Sequence, residues 1–309
     1  MIHSNCQSAM NKRSEINSLI DAQNPHVLAL TEFGASKEVG DGDVGIEGYA
    51  LYRGNHLDGC GGLGKGAALY VKDSLNHSPC PAMEDVAFDC SAWSIIKLAR
   101  NRTLLVGVVY RSPNSMDENN LNLLNLLRAA AATHCDFLTI CGDFNLPLID
   151  WSVGRSLESE NALSFRFVEV IEDLSLYQHA HSPTRFRGSQ KSCLDLILTN
   201  EDNMVSEVHE LPPLGKSDHI CQQWELTTSE GLFRNTSMVK PNFKLARWAD
   251  LKGELREYRN DSDDRPTIMY DKFVAVISGA KHRYIPNCRP KTNKFRFPWM
   301  RSPRKQRTT

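Results

Sequence analysis

The feature that most constrains this chain is the stretch Phe137-Leu138-Thr139-Ile140-Cys141-Gly142-Asp143-Phe144-Asn145. An apolar, strand-forming run ends at a glycine and then presents a carboxylate and a carboxamide two positions apart, so both side chains leave the same face of an extended backbone. Such a strand is buried along its length and offers oxygen ligands at its tip. Taken alone, the same pattern also describes a buried strand running into an Asx-type turn. The other strand ends bear on the choice.

The 309 residues are enough for one large domain with an appendage or for two modest ones. A hydrophobic share of 41% with 24% charged residues is that of an ordinary globular protein. No segment approaches the ~18 uninterrupted apolar residues of a membrane span. The first residues also lack the apolar core of a secretory leader, which points to an intracellular protein without a membrane partner. Nine cysteines form no CxxC pair, and several lie in apolar strand-like runs. They read as reduced structural thiols rather than zinc ligands. Charge is divided unevenly: residues 1–226 hold 17 Lys and Arg against 29 Asp and Glu, a net of −12, and residues 227–309 hold 19 against 8, a net of +11. A domain boundary near Thr227 follows.

Along the chain, Ile16, Leu19 and Ile20 recur at helical spacing within 11–23, and Pro25 stops the pattern. A short strand over 26–30 delivers Glu32 just past its end, as the later strand delivers Asp143. The glycine-rich stretch at 59–66 comes close to a phosphate-cradling loop, but Gly66 stands where a magnesium-binding hydroxyl is required and no strong strand precedes it. It reads instead as a turn into a strand over 67–71. Strands over 92–98 and 103–110 form a hairpin about the polar turn at 99–102. A helix with Leu121, Leu124, Leu127 and Ala131 leads to the strand before Asp143, and a second over 162–174 puts Phe165, Val168, Ile171 and Leu174 on one face. In the strand over 192–198, Asp195 stands between Leu194 and Leu196, where an acid is costly to bury without a partner. Strands over 205–211 and 220–226 complete the first domain. Short strands, few helices and no regular βαβ alternation predict an α+β fold, a four-layer α/β-sandwich of two mainly antiparallel sheets face to face with helices outside. Residues 227–309 are expected to be a basic helical or disordered linker, with a helix over 270–285 that carries Phe273, Val276 and Ile277 on one side.

On that plan the polar strand-end residues Asn5, Glu32, Tyr110, Asp143, Asn145, Asp195, Asp218 and His219 gather at one rim. They suit magnesium-assisted phosphodiester hydrolysis: hard oxygen donors for a divalent cation, groups to orient and deprotonate a water, and an acid-braced imidazole. Their order and wording resemble the endonuclease/exonuclease/phosphatase superfamily, and within it the endonuclease domain of non-LTR retrotransposons. The resemblance runs over residues 1–226 through Asn5-Cys6-Gln7-Ser8, Val109-Tyr110-Arg111-Ser112-Pro113, Gly142-Asp143-Phe144-Asn145, Leu194-Asp195-Leu196-Ile197 and Ser217-Asp218-His219.

The resemblance implies an endonuclease that uses Mg²⁺, with Mn²⁺ as a substitute, and nicks DNA in the nucleus; a reverse transcriptase domain would follow in the full-length element. Glu32 would bind the metal, assisted by Asn5, with Asp218 at a second metal position or outside it. Asp143 and Asn145 would orient the attacking water, Tyr110 would contact the phosphate or the departing oxygen, and His219 would face the phosphate with Asp195 behind it. Either Asp143 or His219 would remove the proton. A phosphomonoesterase and an inactive nucleic-acid-binding remnant are the competing readings, because one scaffold serves several phosphoesterases. Only four residues precede Asn5, so its strand is expected to be clipped and weakly anchored. The net of −12 opposes approach to DNA. Attraction is expected from Arg185, Arg187 and Lys191, and from residues 289–309, which hold eight Lys and Arg, no acid, and the aromatic Phe295, Phe297 and Trp299.

Overall fold

Apolar runs in the first 226 residues become strands covered on both faces, which is why they read as nearly continuous hydrophobic segments rather than alternating ones. The computed structural model describes residues 1–35, 39–54, 66–88, 90–227, 240–241, 245–257 and 266–288. The chain divides into two compact units, Met1–Asn235 and Thr236–Thr309.

In the first unit the strands are Ile2–Asn5 (β1), Val27–Thr31 (β2), Tyr49–Arg53 (β3), Ala67–Lys72 (β4), Asn76–Pro79 (β5), Ser91–Lys97 (β6), Thr103–Tyr110 (β7) and Phe137–Asp143 (β8). They continue with Ile149–Asp150 (β9), Arg155–Ser156 (β10), Tyr177–Gln178 (β11), Arg185–Arg187 (β12), Gln190–Ser192 (β13), Asp195–Thr199 (β14), Val205–Leu211 (β15) and Cys221–Leu226 (β16). The helices are Arg13–Gln23 (α1), Asp41–Val44 (α2), Pro81–Glu84 (α3), Asp117–Ala132 (α4) and Leu163–Asp173 (α5).

One six-stranded sheet has the order β15-β16-β1-β2-β4-β3 and the other β11-β14-β8-β7-β6-β5. Pairing is mostly antiparallel, as expected, but β1 with β2 and β7 with β8 are parallel. Parallel neighbours need a crossover, and α1 and α4 supply these two. Between the sheets lie Ala29, Leu69, Val106, Val108, Cys141, Ile197 and Trp224. Leu123, Leu124, Leu126 and Leu127 of α4 and Phe167, Val170 and Ile171 of α5 cover the second sheet. Ile16 of α1 joins Leu28 and Leu30 on the first. Each leucine of α4 buried in this way contributes on the order of 1.5–3 kcal/mol.

Two helix faces differ from expectation. On α4 Leu124 and Leu127 are buried as expected, but Leu121 is 44% exposed and the buried face widens to Leu123, Leu126 and Ala130. On α5 Ile171 is buried and Val168 and Leu174 pack against the core as expected, but Ser164, Phe167 and Val170 take the inward positions rather than Phe165. Ser164 goes inward because its hydroxyl is engaged by Ser156 Oγ at 2.7 Å and Glu158 Oε2 at 2.5 Å.

The N-terminal strand is as short as expected, with four residues, but it is central in its sheet. β1 lies between β2 and β16 with all four residues buried, and the Met1 ammonium donates to the Trp224 carbonyl at 2.6 Å. Pairing on both edges holds so short a strand.

The second unit contains Trp248–Glu257 (α6) and Pro266–Tyr284 (α7) with a short antiparallel pair, Lys240–Pro241 (β17) and Asn287–Cys288 (β18). The Arg247 guanidinium lies 5.2 Å from the Tyr284 ring centroid, and Arg283 pairs with Glu254. The helix expected over 270–285 starts earlier, and Phe273 and Ile277 on it are exposed. The glycine-rich loop up to residue 65 and the basic segment 289–309 lie outside the described residues. Among the described residues, no helix is long and apolar enough to cross a membrane.

Candidate active site

Strand register decides which side chains meet. β1 and β2 run parallel with Asn5 opposite Thr31, so Asn5 and Glu32 emerge at one edge of the first sheet. In the second sheet β7 and β8 are parallel with Tyr110 opposite Asp143, and antiparallel β14 sets Asp195 directly opposite Asp143. The glycine before Asp143 is obligatory: Gly142 has φ +149, and a Cβ there would lie 1.9 Å from the Val109 carbonyl oxygen. Glu32 and Asn145 both hold a left-handed φ of 49°, a conformation rare outside glycine and concentrated at working sites.

Asn5 joins the two sheets. Its Nδ2 donates to Glu32 Oε1 and to Asp143 Oδ2, both at 2.9 Å, so one carboxamide gathers carboxylates that are far apart in sequence. Asp143 Oδ1 accepts the Asn145 backbone N–H at 3.1 Å. The turn that follows is clamped by Arg111, a residue the motif reading left without a role: its Nη1 donates to the Asn145 carbonyl at 3.0 Å, its Nε donates to Asn120 Oδ1 at 2.8 Å, and Asn145 Nδ2 donates to the Arg111 carbonyl at 2.8 Å. Its place directly after Tyr110 was the only available hint.

On the other side, His219 Nδ1 lies 2.7 Å from Asp195 Oδ2, the partner that the acid between two leucines required. His219 Nε2 is 3.9 Å from Asp143 Oδ2 and 3.9 Å from Asp218 Oδ1. Neither is a hydrogen bond, so Nε2 keeps its capacity for a further acceptor. Thr184 Oγ1 accepts the Asp195 backbone N–H at 3.0 Å, and Ser217 Oγ donates to the Asn5 carbonyl at 2.9 Å. These contacts tie the strand carrying Asp195 and the loop carrying His219 to the same frame.

The environment drives like groups apart. Burial, followed by the charge of Asp195, raises the pKa of Asp143. Burial also pushes Asp195 upward, but the hydrogen bond and charge of His219 outweigh it and hold that carboxyl below its ordinary range. Burial alone would lower His219, yet the Asp195 hydrogen bond and the charges of Asp195, Asp143 and Asp218 raise it to about 9. Glu32 is raised by burial. Tyr110 is raised by burial and then by Glu32 and Asp143, so its hydroxyl keeps its proton at neutral pH.

Asp218 stands at the lip rather than in the floor. Burial raises its pKa, but its Oδ2 accepts from Arg185 Nε at 2.9 Å and the net shift is downward. Its Oδ1 accepts from Gln7 Nε2 at 2.8 Å, a second contact that no motif signalled. Arg185 opens the β12–β13 hairpin and bridges His219 through the backbone, while Arg187 and Lys191 are exposed on that hairpin. The Lys191 ammonium lies 5.9 Å from the ring centroid of Phe186, which is 40% exposed.

Asp143, Asp195 and His219 each bring a ligand atom within 4.8 Å of the others, a cluster capable of coordinating a divalent cation. The donor set suits a hard ion, since Glu32 and Asp143 add carboxylate oxygens whose burial disfavours their negative charge.

A family model described as endonuclease-reverse transcriptase matches residues 104–221, the stretch that carries Tyr110, Asp143, Asn145, Asp195, Asp218 and His219. Over those residues the chain is similar to the endonuclease-reverse transcriptase family. Its fold is similar to that of the endonuclease domain of TRAS1, a telomere-specific non-LTR retrotransposon, with 16% identity, a TM-score of 0.56, and 73% of this chain and 96% of that one covered. It is also similar to the AP endonuclease LMAP from Leishmania major, at 13% identity and a TM-score of 0.55 over 74% of this chain and 87% of the other. A third likeness is to the 3′ phosphatase NExo from Neisseria bound to product DNA hairpin, at 16% identity and a TM-score of 0.52 over 74% and 98%. At these identities the likeness is one of fold. No curated protein matches the chain. The Asp143–Asp195–His219 cluster is consistent with the active site of a phosphoesterase.

Proposed function

We propose that the chain is a divalent-metal-dependent DNA endonuclease that nicks target DNA for non-LTR retrotransposition. The observation that carries this reading is the Asp195–His219 pair at 2.7 Å beside the Asn5–Glu32–Asp143 network, with His219 Nε2 3.9 Å from Asp143 Oδ2. Glu32, assisted by Asn5, would hold Mg²⁺ or Mn²⁺, with Asp218 outside it. When bound, the cation supplies charge neutralisation at the phosphate.

The protein's own groups divide the remaining work. With its pKa raised to about 9, His219 is a cation at neutral pH and braces a phosphate oxygen through Nε2–H. Asp195 fixes its ring. Asp143, raised by burial, is then the base: it takes a proton from the water whose oxygen attacks phosphorus, and Asn145 helps to orient that water. The bond from phosphorus to the departing sugar oxygen breaks, and Tyr110, which keeps its proton, donates a hydrogen bond to that oxygen. Arg185, Arg187 and Lys191 meet the DNA backbone at the lip and offset part of the domain's negative charge. We read residues 227–309 as a basic connection to a reverse transcriptase in the full-length element, with action in the nucleus where the target lies.

Supercoiled plasmid tests the reading. Incubation with Mg²⁺ is expected to give nicked circles, incubation with a chelator none, and Asp143→Ala and His219→Ala almost none. Release of phosphate from a phosphomonoester with the plasmid left intact would overturn it.

A further inference from the structure

Behind the Asp195–His219 pair lies a second histidine that the chemistry above leaves unused. His3 is fully buried in the middle of β1, on the same strand face as Asn5. Its Nε2 is 3.3 Å from Thr31 Oγ1, and its Nδ1 is 3.8 Å from Asp195 Oδ1. Among the described residues neither Nδ1 nor Oδ1 has a hydrogen-bond partner. The carboxylate that holds His219 through Oδ2 therefore has its other oxygen buried, unpaired and facing an unpaired ring nitrogen. Groups of this kind are rare in folded proteins and call for an explanation. Gln222, the cross-strand partner of His3, donates its Nε2 to the Asp195 carbonyl at 3.3 Å and so fixes the same segment from the first sheet.

With Thr31 Oγ–H donating to Nε2, one of the two arrangements open to that contact, the ring proton sits on Nδ1, where the unpaired acceptors are Asp195 Oδ1 and Gln222 Oε1. A shift of about 1 Å brings Nδ1 and Asp195 Oδ1 to hydrogen-bond range. We propose that His3 is a positioning residue whose Nδ1–H braces Asp195 Oδ1 and fixes the rotamer that directs Oδ2 at His219. A line of three side chains, His3, Asp195 and His219, then crosses from one sheet to the other. In its consequence for rate, the inference rests on the nuclease reading; as a hydrogen bond it does not.

The full chain and three variants test it. His3→Asn places an amide N–H close to the position of Nδ1, His3→Gln places it close to Nε2, and His3→Leu removes both. The readouts are the His219 Nδ1 proton resonance and plasmid nicking with Mg²⁺, resolved into kcat and KM. His3→Leu and His3→Gln are expected to shift or broaden that resonance and lower kcat about 10-fold at unchanged KM, while His3→Asn keeps both near the unsubstituted values. An unchanged resonance and kcat in His3→Leu overturns the inference. So does equal loss in His3→Asn and His3→Gln, which is what simple packing predicts. If His3→Leu does not fold, the contrast between His3→Asn and His3→Gln decides. If the chain fails to nick DNA at all, the resonance still decides, and the two failures stay distinguishable.

Discussion

The floor of the site and its lip are made differently. In the floor, Asn5, Asp143, Asp195 and His219 come from strand ends or the loop beside them, are almost wholly buried, and are each held by named partners on other elements. At the lip, Arg187, Lys191 and Phe186 are exposed on a two-stranded hairpin of six strand residues. Chemistry requires groups that do not move when charge develops, and approach to a long polyanion requires only that charge be present. The difference predicts that floor substitutions act on kcat, whereas lip substitutions act on KM and salt dependence.

The largest effect should come from the floor. Asp143→Ala and His219→Ala are each expected to lower kcat for plasmid nicking by about 10²–10⁴-fold with little change in KM. A loss confined to KM would erase the distinction between floor and lip. Next is the glycine that shapes the floor. In Gly142→Ala a methyl would meet the Val109 carbonyl, so urea unfolding should show a loss of more than about 2 kcal/mol.

The third effect concerns pH in metal-free protein. The folded pKa of His219, about 9, lies above its ordinary 6.5. Its contribution to stability is therefore fully present below about pH 6.5 and is lost as pH rises through 9. Thermal unfolding at pH 6 and pH 9.5 should show this loss, and Asp195→Asn should remove most of it, because burial acting alone lowers the histidine. The smallest effect belongs to the lip. Arg187→Ala with Lys191→Ala should raise KM, leave kcat unchanged, and reduce the slope of log affinity against log salt by roughly 2.

The strand ends that carry Asn5, Glu32, Tyr110 and Asp143 could be read from the sequence because their pattern is local: an apolar run, then a polar residue. Their braces could not. Arg111, Gln7 and His3 act on partners 34, 211 and 192 positions away, and nothing in the neighbouring residues encodes such a distance. The central place of β1 was hidden for the same reason. A run of four residues looks too short until β2 and β16 are placed on either side of it. On α5, spacing favoured Phe165 as an inward residue, but Phe167 and Val170 fill the core and Ser164 turns in with them, its hydroxyl bonded to Ser156 and Glu158.

The central position of β1 has a consequence for proteolysis. More than 200 residues separate Asn5 from the loop that supplies His219 and from β16, which pairs with β1. A fragment that ends before β16 retains most of the motif residues but lacks one of the two strands that flank β1, so a single cut in the intervening loops followed by loss of the last strand is expected to dismantle the whole site.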